Sequence, residues 1–258
     1  MRVLRPLAVV AAIALCLCIP AQAEVSQQGH LITTFTGDLS PTTLPRESPA
    51  PVAVSVGGSF KTNAHEPLPQ LRTISVAING AGRLEDTGLP VCRVSKIQPA
   101  TEGNARQLCH RSIVGNGHVD VGVHIENQEP FTVHANLLAF NGPVEHGHKL
   151  ILAQVYAKNP PGAFVLTFRL RKQSGLFGTV MSTSLPHAAR GWAYLTDFEM
   201  TLHRRYRFHG KAHSFVSAAC SAPAGFPGAV FPLAKASYGF ANGRHMETTI
   251  VRSCKVKK

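Results

Sequence analysis

His118-Val119-Asp120-Val121-Gly122-Val123-His124-Ile125 reads as a half-buried β-strand. Val119, Val121, Val123 and Ile125 point one way; His118, Asp120, Gly122 and His124 point the other. That two-residue period belongs to a strand with one face on a core and one in water. Glu126-Asn127-Gln128-Glu129-Pro130 follows as a turn, and 131–140 supplies the return strand, with Ile125 opposite Phe131.

The same reading extends outward in both directions. Residues 52–60, 73–78, 150–157, 164–171, 176–185, 196–206, 212–219, 234–241 and 244–254 are short, rich in β-branched or aromatic residues, and bounded by Gly, Pro or Asn. Phe164, Leu166, Phe168 and Leu170 share one face, as do Phe198, Met200 and Leu202. About a dozen such strands predict an all-β fold, an antiparallel β-sandwich of Ig-like or jelly-roll-like kind, as one sandwich or two packed together. Asn-Gly, the preferred centre of a type I′ turn, occurs at 79–80, 116–117, 141–142 and 242–243, and the last is the clearest hairpin. A single short helix is expected over 102–109, N-capped by Thr101. Residues 30–38 read as an edge strand and 40–51 as a Pro-rich extended connector. The organisation is therefore a leader, 1–23, an edge strand and connector, 24–51, and a sandwich domain, 52–258.

The leader has the pattern of a secretory signal peptide. Arg2 and Arg5 form a basic start, residues 7–18 are apolar, and Ala21-Gln22-Ala23 is an A-x-A cleavage site. The apolar run is too short to span a bilayer and no stop-transfer segment follows. A secreted or extracytoplasmic location is expected, with cleavage after Ala23. Losing Arg2 and Arg5 takes the formal charge from +12 to +10, so an anionic envelope polymer or lipid headgroups become natural partners and nucleic acid the weaker one. Cys16 and Cys18 leave with the leader. Cys92, Cys109, Cys220 and Cys254 remain and allow three pairings. The sequence-neighbour pairing, Cys92–Cys109 and Cys220–Cys254, is preferred, each ring contributing roughly 3–4 kcal/mol. A four-cysteine zinc site does not fit, because its ligands come as closely spaced pairs.

Several segments carry a resemblance that runs almost end to end along the mature chain. They include Leu44-Pro45-Arg46, Pro69-Gln70-Leu71-Arg72, Gly88-Leu89-Pro90-Val91-Cys92, Leu138-Ala139-Phe140-Asn141-Gly142, Tyr206-Arg207-Phe208-His209-Gly210-Lys211 and Arg252-Ser253-Cys254-Lys255. In these the chain resembles an uncharacterised secreted protein family of high-GC actinobacteria. The resemblance implies secretion and a shared fold; it carries no activity.

Three constellations offer chemistry. His118, Asp120, His124 and His134 would share the polar face of the central hairpin, with His124 diagonal to His134; imidazole plus carboxylate suits Zn2+, Cu2+ or Ni2+. Glu145-His146-Gly147-His148 places two histidines on one side of an extended chain, a weaker version of the same chemistry. Arg204, Arg205, Arg207 and Lys211 interleave with Tyr206 and Phe208, a composition suited to anion binding, with a turn expected at Phe208-His209-Gly210-Lys211. There is no G-x-S-x-G elbow, H-E-x-x-H or P-loop, and no cofactor is implied. The leading expectation is thus an exported non-enzymatic envelope or extracellular protein that binds an anionic polymer or membrane surface through the basic patch. The alternatives are a metal-binding protein or metal-dependent hydrolase on the histidine face, and a purely structural envelope component.

Overall fold

Strands that are apolar on one side must cover that side. Here they do so by curling round it. A computed structural model describes residues 23–63, 68–186 and 191–257, so the leader reading lies outside the described residues apart from Ala23. In chain order the strands are β1 (Glu24–Gln28), β2 (Leu31–Ser40), β3 (Thr43–Leu44), β4 (Ala50–Pro51), β5 (Ala53–Thr62), β6 (Leu71–Asn79), β7 (Gly82–Leu84), β8 (Ile113–Val123) and β9 (Phe131–Glu145). They continue as β10 (His148–Lys158), β11 (Pro161–Lys172), β12 (Phe177–Ser184), β13 (Ala193–Leu202), β14 (Arg205–Phe208), β15 (Lys211–Ser214), β16 (Val216–Ala218), β17 (Gly228–Phe240) and β18 (His245–Val256). Two short helices, α1 (Val94–Ile97) and α2 (Glu102–Leu108), lie between β7 and β8.

Thirteen of these strands form one sheet in the order β1-β2-β5-β13-β8-β9-β10-β11-β12-β6-β17-β18-β3. Its neighbours are antiparallel except for β3, which runs parallel to β18. The sheet closes on itself through side chains rather than a ladder. Ser26 Oγ donates to the Glu247 carbonyl at 3.3 Å, and Arg252 Nε donates to the Gly37 carbonyl at 2.8 Å. Gly37 makes that approach feasible: a Cβ there would lie 2.4 Å from Ile250 Cδ1. The fold is all-β and antiparallel, as the alternation predicts, but its long strands share one curled sheet where two separate sheets were expected. Curling buries the apolar face without a second layer and leaves few free edges.

One end of the curl is floored by a small sheet, β4-β16-β7, held by Val52 N donating to the Val216 carbonyl at 3.2 Å. The expected connector is therefore woven in: β3 pairs with β18 and β4 with β16. Arg46 donates to the carbonyls of Ala222, Pro223 and Phe226, which fixes the loop before β17. The strand expected at the edge, 30–38, is β2, one in from the edge, with β1 outside it.

Both expected disulfides form, with Cα–Cα separations of 5.8 Å for Cys92–Cys109 and 5.7 Å for Cys220–Cys254. The first staples a lid made of α1 and α2 onto the outside of β9 and β10. Thr101 Oγ1 caps α2 by accepting from Asn104 N at 3.3 Å. Cys92, Ile97, Ala105 and Cys109 pack on Leu138, Phe140, Leu150 and Leu152, a core separate from the one inside the curl. Two buried amides anchor the lid: Asn141 Nδ2 donates to the Pro90 carbonyl at 3.1 Å, and Gln154 Nε2 to the Ala100 carbonyl at 2.6 Å. β9 and β10 are thereby buried on both faces, which is why Leu137-Leu138-Ala139-Phe140 and Leu150-Ile151-Leu152-Ala153 read as unbroken apolar runs.

Candidate functional site

Inside the curl the wall residues differ in size from one side to the other. On β8, β9 and β10 the inward positions are Val119, Val121, Val133, Ala135, Leu137, Val155 and Ala157. These are mostly small, so they do not reach across the lumen. The result is a cavity of about 490 Å³, within the ~300–1,000 Å³ range of small-molecule sites. Phe164, Leu166 and Phe168 of β11 and Leu195 and Phe198 of β13 complete its sides. The cavity opens at the end opposite the floor sheet, between the exposed Pro160-Pro161-Gly162 turn and the start of β13. Val121, Phe164, Leu195 and Phe198 line the cavity yet stay half exposed, because solvent reaches them from inside.

The lining is almost wholly apolar. Among the described residues Gln70 and Tyr194 are the polar residues bordering it, and none is charged; Tyr194 pairs with Gly122 and turns its ring over that glycine on the outer face, so it borders the cavity without pointing into it. Both sit at the open end, where β6 and β13 begin. Trp192, half exposed beside them, is held by its carbonyl, which accepts from His124 N at 2.7 Å. The floor is formed by Val56, Met181 and Met200, which also line a second, smaller void of about 30 Å³ beneath.

The predicted histidine face is built differently from the expectation. Val123, not Ile125, lies opposite Phe131, so the loop spans 124–130. The bond from His124 N to Trp192 pulls that residue off the ladder towards β13, and Gln128 N closes a turn on the Ile125 carbonyl at 3.1 Å. The shift is two residues, so each side chain keeps its face. Asp120 now faces His134, whose Nδ1 donates to Asp120 Oδ1 at 2.7 Å. His118 Nε2 donates instead to Asp197 Oδ1 at 3.1 Å. His124 does not join them: of the four predicted ligands Asp120 and His134 form one pair, His118 pairs with Asp197 instead, and His124 sits in the loop. Among the described residues no three His, Cys, Asp or Glu side chains converge as a metal site. Burial raises the Asp197 carboxyl above its usual range; the His118 hydrogen bond opposes this, and Asp120 and Glu199 add to it.

His146-Gly147 is a two-residue hairpin, both residues at positive φ (49° and 76°), as a type I′ turn demands. His148 therefore pairs back onto Glu145 and does not continue an extended line with His146. His209-Gly210 makes the same turn in the basic segment, at the position expected. There Arg205 and Arg207 share the exposed face of β14, while Lys211 lies on the other face, across from Phe208. Tyr206 stacks on His213 with ring centroids 5.4 Å apart, and His213 Nδ1 donates to Glu85 Oε1 at 3.1 Å. Arg204 is half-buried, its Nε without a hydrogen-bond partner. Two acids interrupt the basic segment: Glu85, and Asp86, which pairs with Lys149. The four predicted cations thus fall on three different surfaces.

The cavity went unseen in the sequence reading. Its signal was present in the small residues Val133, Ala135, Val155 and Ala157, which repeat at inward positions of adjacent strands; register was needed to see that they face one another. No protein-family model matches the chain, and no curated protein or solved structure matches it.

Proposed function

We propose that this protein is an exported, non-enzymatic carrier or receptor that holds one apolar small molecule inside its curled sheet. The observation that carries this reading is the cavity of about 490 Å³ with apolar walls and, among the described residues, one polar side chain, Gln70, at the mouth. Protein interiors are normally packed to the density of organic crystals, so side chains that leave this much room are the exception. The lining favours a ligand whose tail enters first and whose head is uncharged. A buried charge without a partner is costly, whereas a hydroxyl, ester or amide is satisfied at the open mouth by the Gln70 amide and by water. Export is supported by the leader sequence, and two disulfides fit an oxidising compartment.

The test is direct binding of straight-chain primary alcohols and of fatty acids of equal length, followed by displacement of a fluorescent apolar probe. Alcohol affinity should rise about fourfold per methylene, corresponding to ~0.8 kcal/mol per buried CH2. Fatty acids should bind more weakly above their carboxyl pKa than below it. Probe binding unaffected by Ala135→Phe and Ala157→Phe in a folded protein would place the ligand elsewhere and sink the reading.

The basic hairpin supports a second, independent element of the proposal. Arg205 and Arg207, both exposed on one face of β14, would contact an anionic polymer of the envelope. Retention on an acidic matrix that is unchanged by charge reversal at both positions would remove it.

A further inference from the structure

The main cavity and the smaller void beneath it are lined in common by three residues, Val56 on β5, Met200 on β13 and Met181 on β12. Met200 and Val56 are direct cross-strand partners at 3% and 5% exposure. Met181 comes from the far wall: seen through the sheet order, β12 is five strands from β13 by way of β8. It is also buried, at 2% exposure. The floor of the cavity is therefore a partition made from two sides, one void deep. Beyond it lie Leu39, Leu84, Val216, Ala218 and Leu233, apolar residues of the lower curl and its floor sheet.

The partition is built from side chains suited to moving. Methionine is unbranched and has more rotatable bonds than the valines and isoleucine around it, so it fills irregular gaps and repacks at low cost. The polar residues of the lower void are Asn79, Thr179, Ser217 and the exposed Arg83, and Asn79 is satisfied by donating to the Pro232 carbonyl at 2.8 Å. The space directly beneath the partition, between Leu39, Val54, Ile78, Leu84 and Leu233, is apolar like the space above it.

Resting on the carrier reading, we propose that Met181 and Met200 determine ligand length: they set the depth to which an apolar tail can descend, and their displacement joins the lower void to the cavity. The ligand class is then a single-chain amphiphile with an uncharged head, selected by tail length. Each methylene buried contributes about fourfold in affinity until the tail reaches the partition, after which further methylenes contribute nothing or reduce binding.

The experiment is the length profile of binding for a homologous series of straight-chain primary alcohols, measured by calorimetry on the intact chain. Wild type should climb about fourfold per methylene and then stop. Met181→Ala and Met200→Ala should move the stopping point to longer alcohols, the double variant furthest, with each added methylene again giving about fourfold. Met200→Phe thickens the partition, keeps the site full if the truncations fail to fold, and should move the stopping point to shorter alcohols. A stopping point that stays put in folded variants that still bind overturns the length inference and leaves the carrier reading standing. Wild-type protein that binds no alcohol of any length overturns both.

Discussion

The two sides of the curled sheet obey the same alternation and do opposite things with it. Where β2, β5 and β17 meet, inward positions carry Phe35, Phe60, Tyr238 and Phe240. Phe60 sits edge-on to Tyr238 at 4.9 Å and to Phe240 at 6.0 Å. Gly58 makes room for this cluster, since a Cβ there would lie 2.7 Å from the Tyr238 hydroxyl. Burial pushes the Tyr238 phenol well above its usual range, so it stays neutral. Where β8, β9 and β10 meet, the equivalent positions hold mostly Val and Ala, and the lumen stays open. Hydrophobic periodicity makes both halves into sheet; side-chain volume makes one a core and the other a container.

Truncation should expose that difference most strongly. Phe60→Ala removes the hub of the aromatic cluster from a fully packed site, at an expected cost of ~3–5 kcal/mol. Phe164→Ala removes the same atoms from a wall that already borders the cavity, at about 1–2 kcal/mol. Urea denaturation of both variants measures the contrast. Equal costs would mean that the two halves are packed alike.

The disulfides come next in size. Cys220–Cys254 closes a 34-residue interval ending on β18, and Cys92–Cys109 a 17-residue interval that holds the lid over β9 and β10. Replacing either pair with Ser should cost about 3–4 kcal/mol, the longer ring about 0.6 kcal/mol more. If the lid buttresses the thin wall, loss of Cys92–Cys109 should also weaken probe binding, whereas loss of Cys220–Cys254 should leave it unchanged. Probe affinity that responds equally to both would break the link between lid and cavity.

Filling the container should stabilise it. Ala157→Leu adds apolar atoms to a space that has room for them, for a gain of about 1 kcal/mol in thermal or urea unfolding, together with loss of probe binding. The same addition to the packed half, at Ala236, should destabilise by roughly 1–3 kcal/mol.

Much of this division was legible and some could not be. The strands, α2 with its Thr101 cap, and both cysteine pairs follow from local chemistry. Closure into one sheet does not, because the contact of Gly37 with Ile250 joins positions far apart in sequence. Asn-Gly misled for a physical reason. Asn116-Gly117 and Asn141-Gly142 lie within β8 and β9, where Gly is needed for close approach: a Cβ on Gly117 would lie 1.8 Å from the Glu199 carbonyl oxygen. One type I′ turn fell instead on His146-Gly147, and another on His209-Gly210, where a turn was expected. At 242–243 the hairpin is real, but its loop spans 241–244. The histidine pairs depended on register, and a loop two residues longer was enough to separate His124 from His134.

The smallest effects lie on the outer face of the thin wall, where two carboxylates are shifted in opposite directions. Asn136 Nδ2 donates to Glu102 Oε2 at 2.7 Å, tying α2 to β9. This bond first, and Arg106 second, holds the Glu102 carboxyl below its usual value. Its stabilisation is present above the unfolded pKa of 4.5 and is lost as pH falls through the lower folded value. Asp197 behaves in reverse. Burial raises it above 3.8, so folding is favoured while it is protonated, and that share is lost as pH rises from 3.8 through its folded value. Asn136→Ala should therefore flatten the acid limb of the stability profile below pH 4.5, and Asp197→Asn should raise stability at neutral pH while its amide oxygen still accepts from His118. Carboxyl titration by NMR checks both: Glu102 should move up in Asn136→Ala, and a Glu102 that does not move would place the lid's acid sensitivity elsewhere. Because Glu102 is joined to the wall and Asp197 lies within it, the two slopes separate loosening of the lid from loosening of the container beneath it.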